Sequence, residues 1–425
     1  MNLIKNEKLK EELYEFKLEN GVKVYYFPKK GFTKKYAIFT TNYGSVDNKF
    51  VPINENEAVS LPEGIAHFLE HKLFEEPEEN IFQKFAIQGA YVNAFTNFNQ
   101  TSYLFYSTDN FYENLKLLVK FVQNPYFTDE NVEKEKGIIS QEIQMYLDNP
   151  SWVVFFNCLR AMYHNNPVRV DIAGSVESIN EITKEDLETA YRTFYNPKNM
   201  VLFIVGDLDK DMIESSLKES EKFYENNLEE IVRIEEIEPS EIKQKQIEAN
   251  MLTSKPLFYI GFKDTDIGLS GKELVKKDII TNIILDMIFS ESSELYNELY
   301  SEGVIDANFG AYFTGHKTYG HSLIVGQSDD PQLVYSRIKE MLKKSNDYIT
   351  IDSFERIKKK EIGHFLMGFN SIEFIANNLT ELYFQDFLLI DYLDVLNEIK
   401  FEDIESRFKK HFKEDMSVIS IIWPS

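Results

Sequence analysis

Two histidines and a glutamate lie close together in the segment Gly64 to Phe74, GIAHFLEHKLF. On a helix, His67 and His71 are about one turn apart on the same face, so both imidazoles can reach one metal ion. Glu70 shares that face, and its carboxylate can accept a proton from a water molecule acidified by zinc. A single histidine is more often an ordinary residue paired with a carboxylate. The complete pattern, which arises by chance in roughly one such chain in a hundred, predicts a hydrolytic zinc site.

A catalytic zinc site uses three protein ligands and keeps one position open, so a third ligand is required. The candidate is Glu142, which lies two helical turns after Glu135 in an amphipathic stretch. Glu142 would complete a His, His, Glu ligand set. Glu135 would accept a hydrogen bond from a ligand imidazole and fix its tautomer. Either glutamate, taken alone, is better explained as an ordinary solvated charge on a helix.

The segments around these residues have the periodicities of short strands and amphipathic helices. An Asn20-Gly21 turn predicts a hairpin over Tyr14 to Pro28. The predicted strands are Ala37 to Asn42, Ala90 to Phe98, Ser102 to Ser107, Met200 to Val205 and Leu257 to Phe262. The predicted helices include Ile65 to Phe74, Asn80 to Gln88, Asn110 to Gln123 and Asp129 to Leu147.

The chain also contains a similarity between its two halves. Residues Leu187 to Asp207 and residues Ile404 to Pro424 each read as a helix with aromatic anchors, a polar turn with Met, and an apolar strand. This indicates duplicated halves, although many helix–turn–strand units look alike. The acidic segment between the halves, which is nearly free of aromatics, is typical of a surface linker. The sequence therefore predicts an N-terminal domain over 1–225, a linker over 226–250 and a C-terminal domain over 251–425.

Length and composition exclude several classes of protein. The 425 residues, 43% hydrophobic, are enough for two or three domains with real cores. The only cysteine, Cys158, excludes a disulfide framework and a multi-thiolate zinc site. The net charge of −24 argues against nucleic acid or an anionic membrane as partner and favours cationic ligands.

Targeting signals are also missing from the sequence. The segment Met1 to Leu13 is charged throughout and lacks the apolar core of a signal peptide, and no apolar run approaches the length of a membrane span. These features predict a cytoplasmic protein.

The motifs together resemble those of the inverted-motif zinc peptidases, the family of pitrilysin, insulin-degrading enzyme and mitochondrial processing peptidase. The resemblance covers nearly the whole chain. The matching segments are Gly64 to Phe74, Asn93 to Thr96, Glu135 to Ile143, Pro167 to Ile179 and Tyr195 to Met200.

The resemblance implies an α+β fold of two homologous αβ-sandwich domains, each a largely antiparallel sheet covered by helices. Such a chain would form half of a clamshell. It also implies a zinc endopeptidase, with Zn2+ held by His67, His71 and Glu142 and with Glu70 as general base. The C-terminal domain would be non-catalytic.

A substrate peptide would bind by adding a strand to the edge segment Ala90 to Phe98. The segment Asn93, Ala94 and Phe95 would contact it, with the Asn93 side chain orienting a substrate carbonyl. Phe68 and Phe95 are candidates to line a side-chain pocket, and either is equally well explained as a core residue. The alternative interpretation is that Ala90 to Phe98 is simply a sheet edge and that Asn93 is a turn residue.

One part of the family pattern is missing. Members of the family also use an Arg and a Tyr from the second half to stabilise the oxyanion and to hold the substrate. In this chain, no arginine occurs between Arg233 and Arg337. Residues Leu295 to Asp306, where the arginine usually lies, most resemble short bacterial members found beside a homologue that lacks the metal motif. The remaining candidates are Tyr312 and Tyr319 as tyrosines and His316 and His321 as donors.

We therefore expect a heterodimer with a homologous subunit that supplies the Arg and Tyr, and we expect a homodimer less. The two chains would enclose a chamber that admits short unfolded peptides, with a preference for cationic ones. General peptide turnover and maturation of a ribosomally made bacteriocin precursor are not separated by the sequence. A catalytically silent scaffold subunit and a metal-binding module are the competing interpretations. The intact His67, Glu70, His71 and Glu142 argue against the scaffold, and Glu70 would have no role in a metal-binding module.

Overall fold

The computed structural model describes residues 1–77, 80–220 and 231–425, which form two compact units. Unit 1 comprises Met1–Ile143, Val170–Glu235 and Gly368–Phe384, and unit 2 comprises Gln144–Arg169, Glu236–Met367 and Gln385–Ser425. Each unit is thus assembled from separate chain segments. The sequence predicts domains that are continuous along the chain, over 1–225 and 251–425, and these stay a prediction.

The strands in the described residues are β1 (Asn2–Asn6), β2 (Glu11–Lys17), β3 (Lys23–Pro28), β4 (Lys35–Thr41), β5 (Lys49–Val51), β6 (Val59–Ser60), β7 (Ala90–Thr96), β8 (Thr101–Ser107), β9 (Met200–Gly206), β10 (Val232–Arg233), β11 (Gln246–Met251), β12 (Leu257–Lys263), β13 (Gly310–Gly315), β14 (Gly320–Gln327) and β15 (Ser417–Pro424).

The helices in the described residues are α1 (Ile65–Leu73), α2 (Ile81–Ile87), α3 (Phe111–Val122), α4 (Asp129–Leu147), α5 (Pro150–Met162), α6 (Val176–Glu181), α7 (Lys184–Phe194), α8 (Lys210–Ser220), α9 (Gly271–Phe289), α10 (Glu294–Ser301), α11 (Pro331–Lys343), α12 (Ser345–Tyr348), α13 (Ile351–Gly368), α14 (Ile372–Phe384), α15 (Tyr392–Glu398) and α16 (Phe401–His411).

Both units contain one large sheet built on the same plan. In unit 1 the strand order is β1-β2-β3-β9-β4-β8-β7, and in unit 2 it is β11-β15-β12-β14-β13. The pairs β3·β9 and β11·β15 are parallel, and the other pairs in these two sheets are antiparallel. The five strands from β3 to β7 in the unit 1 order therefore have the same arrangement as the five strands of unit 2.

The segment pair that indicated duplication occupies equivalent positions in the two units. In unit 1, α7 leads through a short 3-10 turn, Pro197–Asn199, into the buried strand β9. In unit 2, α16 leads through the 3-10 turn Glu414–Met416 into β15. Helix α7 begins with a capping box between Thr183 and Asp186. At the start of α16, the Asp403 carboxylate accepts a hydrogen bond from the backbone N–H of Lys400.

Each unit takes one covering helix from the other half of the sequence. Helix α14, near the end of the chain, packs on β4 and β9 of unit 1, where the ring of Tyr383 lies edge-on to Tyr25 and Phe203. Helix α5 packs on β11, β12 and β15 of unit 2. The two elements approach closely at Gly261, where a Cβ would lie 2.3 Å from the Met162 Cε atom and 2.9 Å from the Cys158 Sγ atom, so these α5 side chains would have to shift.

Strands also occur where the sequence predicts a linker. Within 226–250, β10 pairs with β5 and β11 begins an edge strand of unit 2. The β11 residues alternate between exposed and half-buried, so the segment lacks the apolar run that would mark it as a strand. Residues 226–230 of the predicted linker lie outside the described residues.

A buried ion cluster lies in the core of unit 2. The Asp264 carboxylate accepts hydrogen bonds of 3.0 and 2.9 Å from the two terminal nitrogens of Arg407, and the Lys277 Nζ atom lies 3.0 Å away. Burial raises the pKa of the Asp264 carboxyl group, but the adjacent His411 and Arg407 outweigh it and hold the pKa well below its ordinary value. The carboxylate therefore remains charged and forms ion pairs with two buried cations.

We expect Asp264→Asn to lower the free energy of unfolding of unit 2 by about 3 to 5 kcal/mol at pH 7, because Arg407 and Lys277 lose their counter-charge. Since the folded-state pKa is lowered, the stabilisation is present above the unfolded-state pKa of about 3.9 and is lost as the pH falls below it. Urea unfolding at several pH values measures the difference, with the exposed Asp329→Asn as control. An equal midpoint for both variants at pH 7 would contradict the prediction.

Candidate active site

Helix α1 is anchored so that its polar residues have fixed positions. Gly64 precedes it with φ of 88°, and a Cβ there would lie 2.3 Å from the Ala173 carbonyl oxygen, so only glycine fits. The apolar residues Ile65, Phe68 and Leu69 are fully buried. The packed helix therefore holds the histidines on one side.

The structure brings His67, His71 and Glu142 together, with one potential ligand atom from each within 4.8 Å of the others. The Nε2 atom of His67 lies 3.8 Å from Oε1 of Glu142, and the Nε2 atom of His71 lies 3.5 Å from Oε2. Two ligand atoms bound tetrahedrally to one zinc ion at about 2.1 Å are roughly 3.4 Å apart. The three side chains therefore fit a zinc ion. Elsewhere in the described residues, no other group of three His, Cys, Asp or Glu side chains meets this criterion.

Glu135 supports one of these histidines. The Nδ1 atom of His71 lies 3.0 Å from Oε1 of Glu135, so a proton on Nδ1 is donated to the carboxylate and Nε2 is left to bind a metal. The fully buried Lys72 lies on the other side, with its Nζ atom 3.9 Å from Oε2 of Glu135 and 2.5 Å from Glu75. Burial raises the pKa of Glu135, but the His71 hydrogen bond and the nearby Lys72 charge lower it overall.

We expect Glu135→Gln to weaken zinc binding about 10- to 100-fold, because the neutral amide accepts a weaker hydrogen bond from the His71 ring than a carboxylate does. Competition with a chromogenic zinc chelator measures the affinity. Glu133→Gln, on an exposed face of the same helix, serves as control. Equal zinc affinity for wild type and Glu135→Gln would show that Glu135 does not support the ligand.

Thr96 is a site residue to which sequence reasoning assigned no role. Its Oγ1 atom donates a 2.7 Å hydrogen bond to Oε2 of Glu70 and so fixes the direction of that carboxylate. Burial raises the pKa of Glu70, and the Thr96 bond partly opposes the shift. Thr96 ends the matched Asn93 to Thr96 segment, but no local pattern indicates that its hydroxyl reaches a helix 26 residues earlier.

The histidines differ in their electrostatic surroundings. Burial and the neighbouring His71 lower the pKa of His67 to about 4. Burial also lowers the pKa of His71, but the hydrogen bond to Glu135 and the charges of Glu70 and Glu142 raise it overall. His67 is therefore neutral at pH 7, the state in which an imidazole binds a metal.

The residues expected to contact a substrate are only partly brought together. Asn93 is exposed on β7, and Ala94 and Phe95 beside it are half-buried. Phe68 is fully buried, because the position after His67 on α1 faces the core rather than the site. The contact roles of Asn93, Ala94, Phe95 and Phe68 remain predictions.

The candidate tyrosines of the second half, and the histidines considered as hydrogen-bond donors, lie in unit 2. Tyr319 and His321 are buried, and the Tyr163 hydroxyl is 3.0 Å from the Nδ1 atom of His321. His316 contacts Thr318, and Tyr312 is 38% exposed on β13. Tyr319 and His321 are therefore part of the interior of unit 2.

Comparison with known proteins identifies the family. A family model described as insulinase, peptidase family M16, matches residues 54–175, and one described as peptidase M16 inactive domain matches residues 181–361. The chain is 45% identical over 422 residues to an uncharacterized zinc protease of Bacillus subtilis, YmfH, covering 99% of both proteins. The chain belongs to peptidase family M16.

Two further relatives support the same conclusion. The crystal structure of an M16-like peptidase from Alicyclobacillus acidocaldarius superposes with a TM-score of 0.94 at 37% identity, covering 99% of this chain and all of that one. The beta subunit of the mitochondrial-processing peptidase of Caenorhabditis elegans is 29% identical over 166 residues, 38% of this chain and 36% of that protein.

The M16 membership confirms the family resemblance, the mixed fold of two homologous sandwich domains and the assignment to the zinc metallopeptidases. Zinc is the metal of this class, and the chain has a His, His, Glu group that fits it. Among the described residues, no helix has the length and hydrophobicity needed to span a membrane.

Proposed function

We propose that this M16 peptidase cleaves short unfolded peptides at internal bonds, with His67, His71 and Glu142 holding zinc and Glu70 acting as general base. The observation that carries the proposal is the spacing of the three ligand atoms, all within 4.8 Å of one another, beside a buried glutamate. A scaffold subunit has no need of this arrangement. A metal-storage site would have no use for Glu70.

Bound zinc would polarise a substrate carbonyl and lower the pKa of a water molecule towards neutrality. Glu70 would accept the proton released when water attacks the scissile carbonyl and deliver it to the leaving amine. The Thr96 hydroxyl holds one Glu70 oxygen, which leaves the other carboxylate oxygen for proton transfer. The raised pKa of Glu70 brings its basicity closer to that suited to proton exchange near neutral pH.

The substrate would bind as an extra strand on β7. Strand β7 is the last strand of its sheet and pairs with β8. Its seven residues, AYVNAFT, include no charged residue and no proline. Sheet edges are usually protected by such residues, so this edge is suited to accept an extended peptide through backbone hydrogen bonds.

A homologous partner subunit would complete the site. The sequence between Arg233 and Arg337 has no arginine. Tyr319 and His321 are both buried in unit 2, and His321 is hydrogen-bonded to Tyr163. A partner that supplies an arginine and a tyrosine would form a heterodimer and enclose a chamber. The net charge of −24 supports a preference for cationic peptides, and a cytoplasmic location remains a prediction.

The test is hydrolysis of an internally quenched peptide by the chain alone and with a co-purified homologue. We expect cleavage that stops with a chelator, returns with about one equivalent of zinc and rises when the homologue is added. Zinc retained without cleavage in either preparation would contradict the proposed peptidase. At low salt, equal rates for basic and acidic peptides would contradict the charge preference.

A further inference from the structure

The edge strand β7 carries an exposed aromatic residue away from the metal site. Tyr91 is 52% exposed, although it belongs to a regular antiparallel pair as the second residue of β7. The strand alternates, so Tyr91 and Asn93 point to one face of the sheet and Val92 and Ala94 to the other. An exposed tyrosine on a sheet edge can serve as a contact surface for a further strand.

Tyr91 ends a row of tyrosines that crosses three strands. Tyr36 of β4 pairs with Tyr106 of β8, and Tyr106 pairs with Tyr91 of β7. The rings of Tyr91 and Tyr106 are stacked, with centroids 4.9 Å apart and an interplanar angle of 24°. The row therefore runs from the buried Tyr36 to the open edge of the sheet.

The middle ring of the row is fixed by a cation. The Lys34 Nζ atom lies 3.7 Å from the centroid of the Tyr106 ring, and Lys34 is itself paired with Glu373 of α14. A lysine held by a carboxylate over an aromatic face restrains that ring. Tyr91 therefore stacks on an ordered support, and less entropy is lost when a ligand packs against it.

The register of β7 determines which substrate residue would reach Tyr91. Residues directly opposite each other on paired strands point to the same face, with Cβ atoms about 4.5 to 5.5 Å apart. The reacting end of β7 is marked by Ala94 to Thr96, because Thr96 is bonded to Glu70. Tyr91 lies three to five residues before that end, a distance of roughly 10 to 17 Å along the strand.

We propose that Tyr91 forms a subsite for an aromatic side chain of the substrate, three to five residues from the scissile bond. This rests on the proposed strand addition to β7. A substrate aromatic at that position continues the row Tyr36, Tyr106, Tyr91 by one more strand. Cross-strand aromatic pairs of this kind stabilise sheets, so the preference for Phe over Ser at this position is about three- to tenfold.

The experiment uses peptides that extend at least six residues on both sides of one cleavable bond, with Phe or Ser placed at each position three to five residues away. Cleavage by the wild-type chain with its homologue locates the scissile bond. Fluorescence anisotropy with the Glu70→Gln chain gives the Kd of each peptide. At one position, we expect the Kd of the Ser peptide to be about three to ten times the Kd of the Phe peptide. This ratio should be retained in Tyr91→Phe and reduced to about one in Tyr91→Ser.

A matched control is Tyr126→Ser, which removes a 38% exposed tyrosine outside β7 and leaves the ratio unchanged. A Kd ratio of one at every position, or a ratio that survives Tyr91→Ser, would overturn the subsite. If no peptide is cleaved but the Tyr91-dependent ratio is present, the subsite stands and the proposed hydrolysis fails.

Discussion

Glu70→Gln is expected to lower kcat by about 10²- to 10⁴-fold and to leave zinc content unchanged. The amide has nearly the same shape as the carboxylate and can still accept the hydrogen bond from Thr96, so α1 and its histidines keep their positions. The loss is confined to proton transfer, because an amide cannot act as a base near neutral pH. Among the site residues, Glu70 should show the clearest separation of metal binding from catalysis.

The measurement combines steady-state kinetics on a quenched peptide with zinc analysis of the same sample. Glu130→Gln, an exposed glutamate in the first turn of α4, is the matched control and should keep both kcat and zinc. A Glu70→Gln chain with at least half the wild-type kcat would show that another group accepts the proton.

His71→Ala is expected to reduce bound zinc from about one ion per chain to near zero and to abolish peptide hydrolysis. The substitution removes one ligand atom and leaves His67 and Glu142, which are too few for a stable catalytic zinc site. It also removes the hydrogen-bond partner of Glu135. The affinity loss should therefore exceed the roughly 10- to 100-fold that follows from losing an outer hydrogen-bond partner alone.

Zinc content after dialysis against a weak chelator provides the measurement, with His364→Ala as control because His364 is exposed on α13 of unit 2. Circular dichroism checks that the variant remains folded. Stoichiometric zinc in the His71→Ala chain would show that the ion is held elsewhere. Activity at the wild-type level would contradict the proposed role of the whole group.

The sequence predicts the local parts of the site well, because local geometry determines them. Four residues of helix place His67 and His71 side by side, and seven residues place Glu135 and Glu142 on one face of α4. Contact between α1 and α4 is a tertiary property. Periodicity therefore makes Glu142 a candidate, and the resemblance to the family motifs is what predicts that it meets the histidines. The role of Thr96 was missed for the same reason, since a side-chain bond from a strand to a helix leaves no trace in local spacing.

The fold is predictable to the same extent. The helix–turn–strand units that end in β9 and β15 predict the duplication, because aromatic anchors, a polar turn with Met and an apolar strand recur in the same order. The exchange of α5 and α14 could not be predicted from the pattern of these helices. An apolar helix face does not specify which sheet it will cover.

The placement of α14 has a consequence for biosynthesis. The strands β4 and β9 leave the ribosome well before residues 372–384, so the surface of these strands that α14 covers stays exposed until those residues have been made. Unit 1 therefore cannot mature co-translationally as an independent module. Nascent chains that end before α14 should expose this apolar face and recruit chaperones, and fragments cut at residue 250 should aggregate.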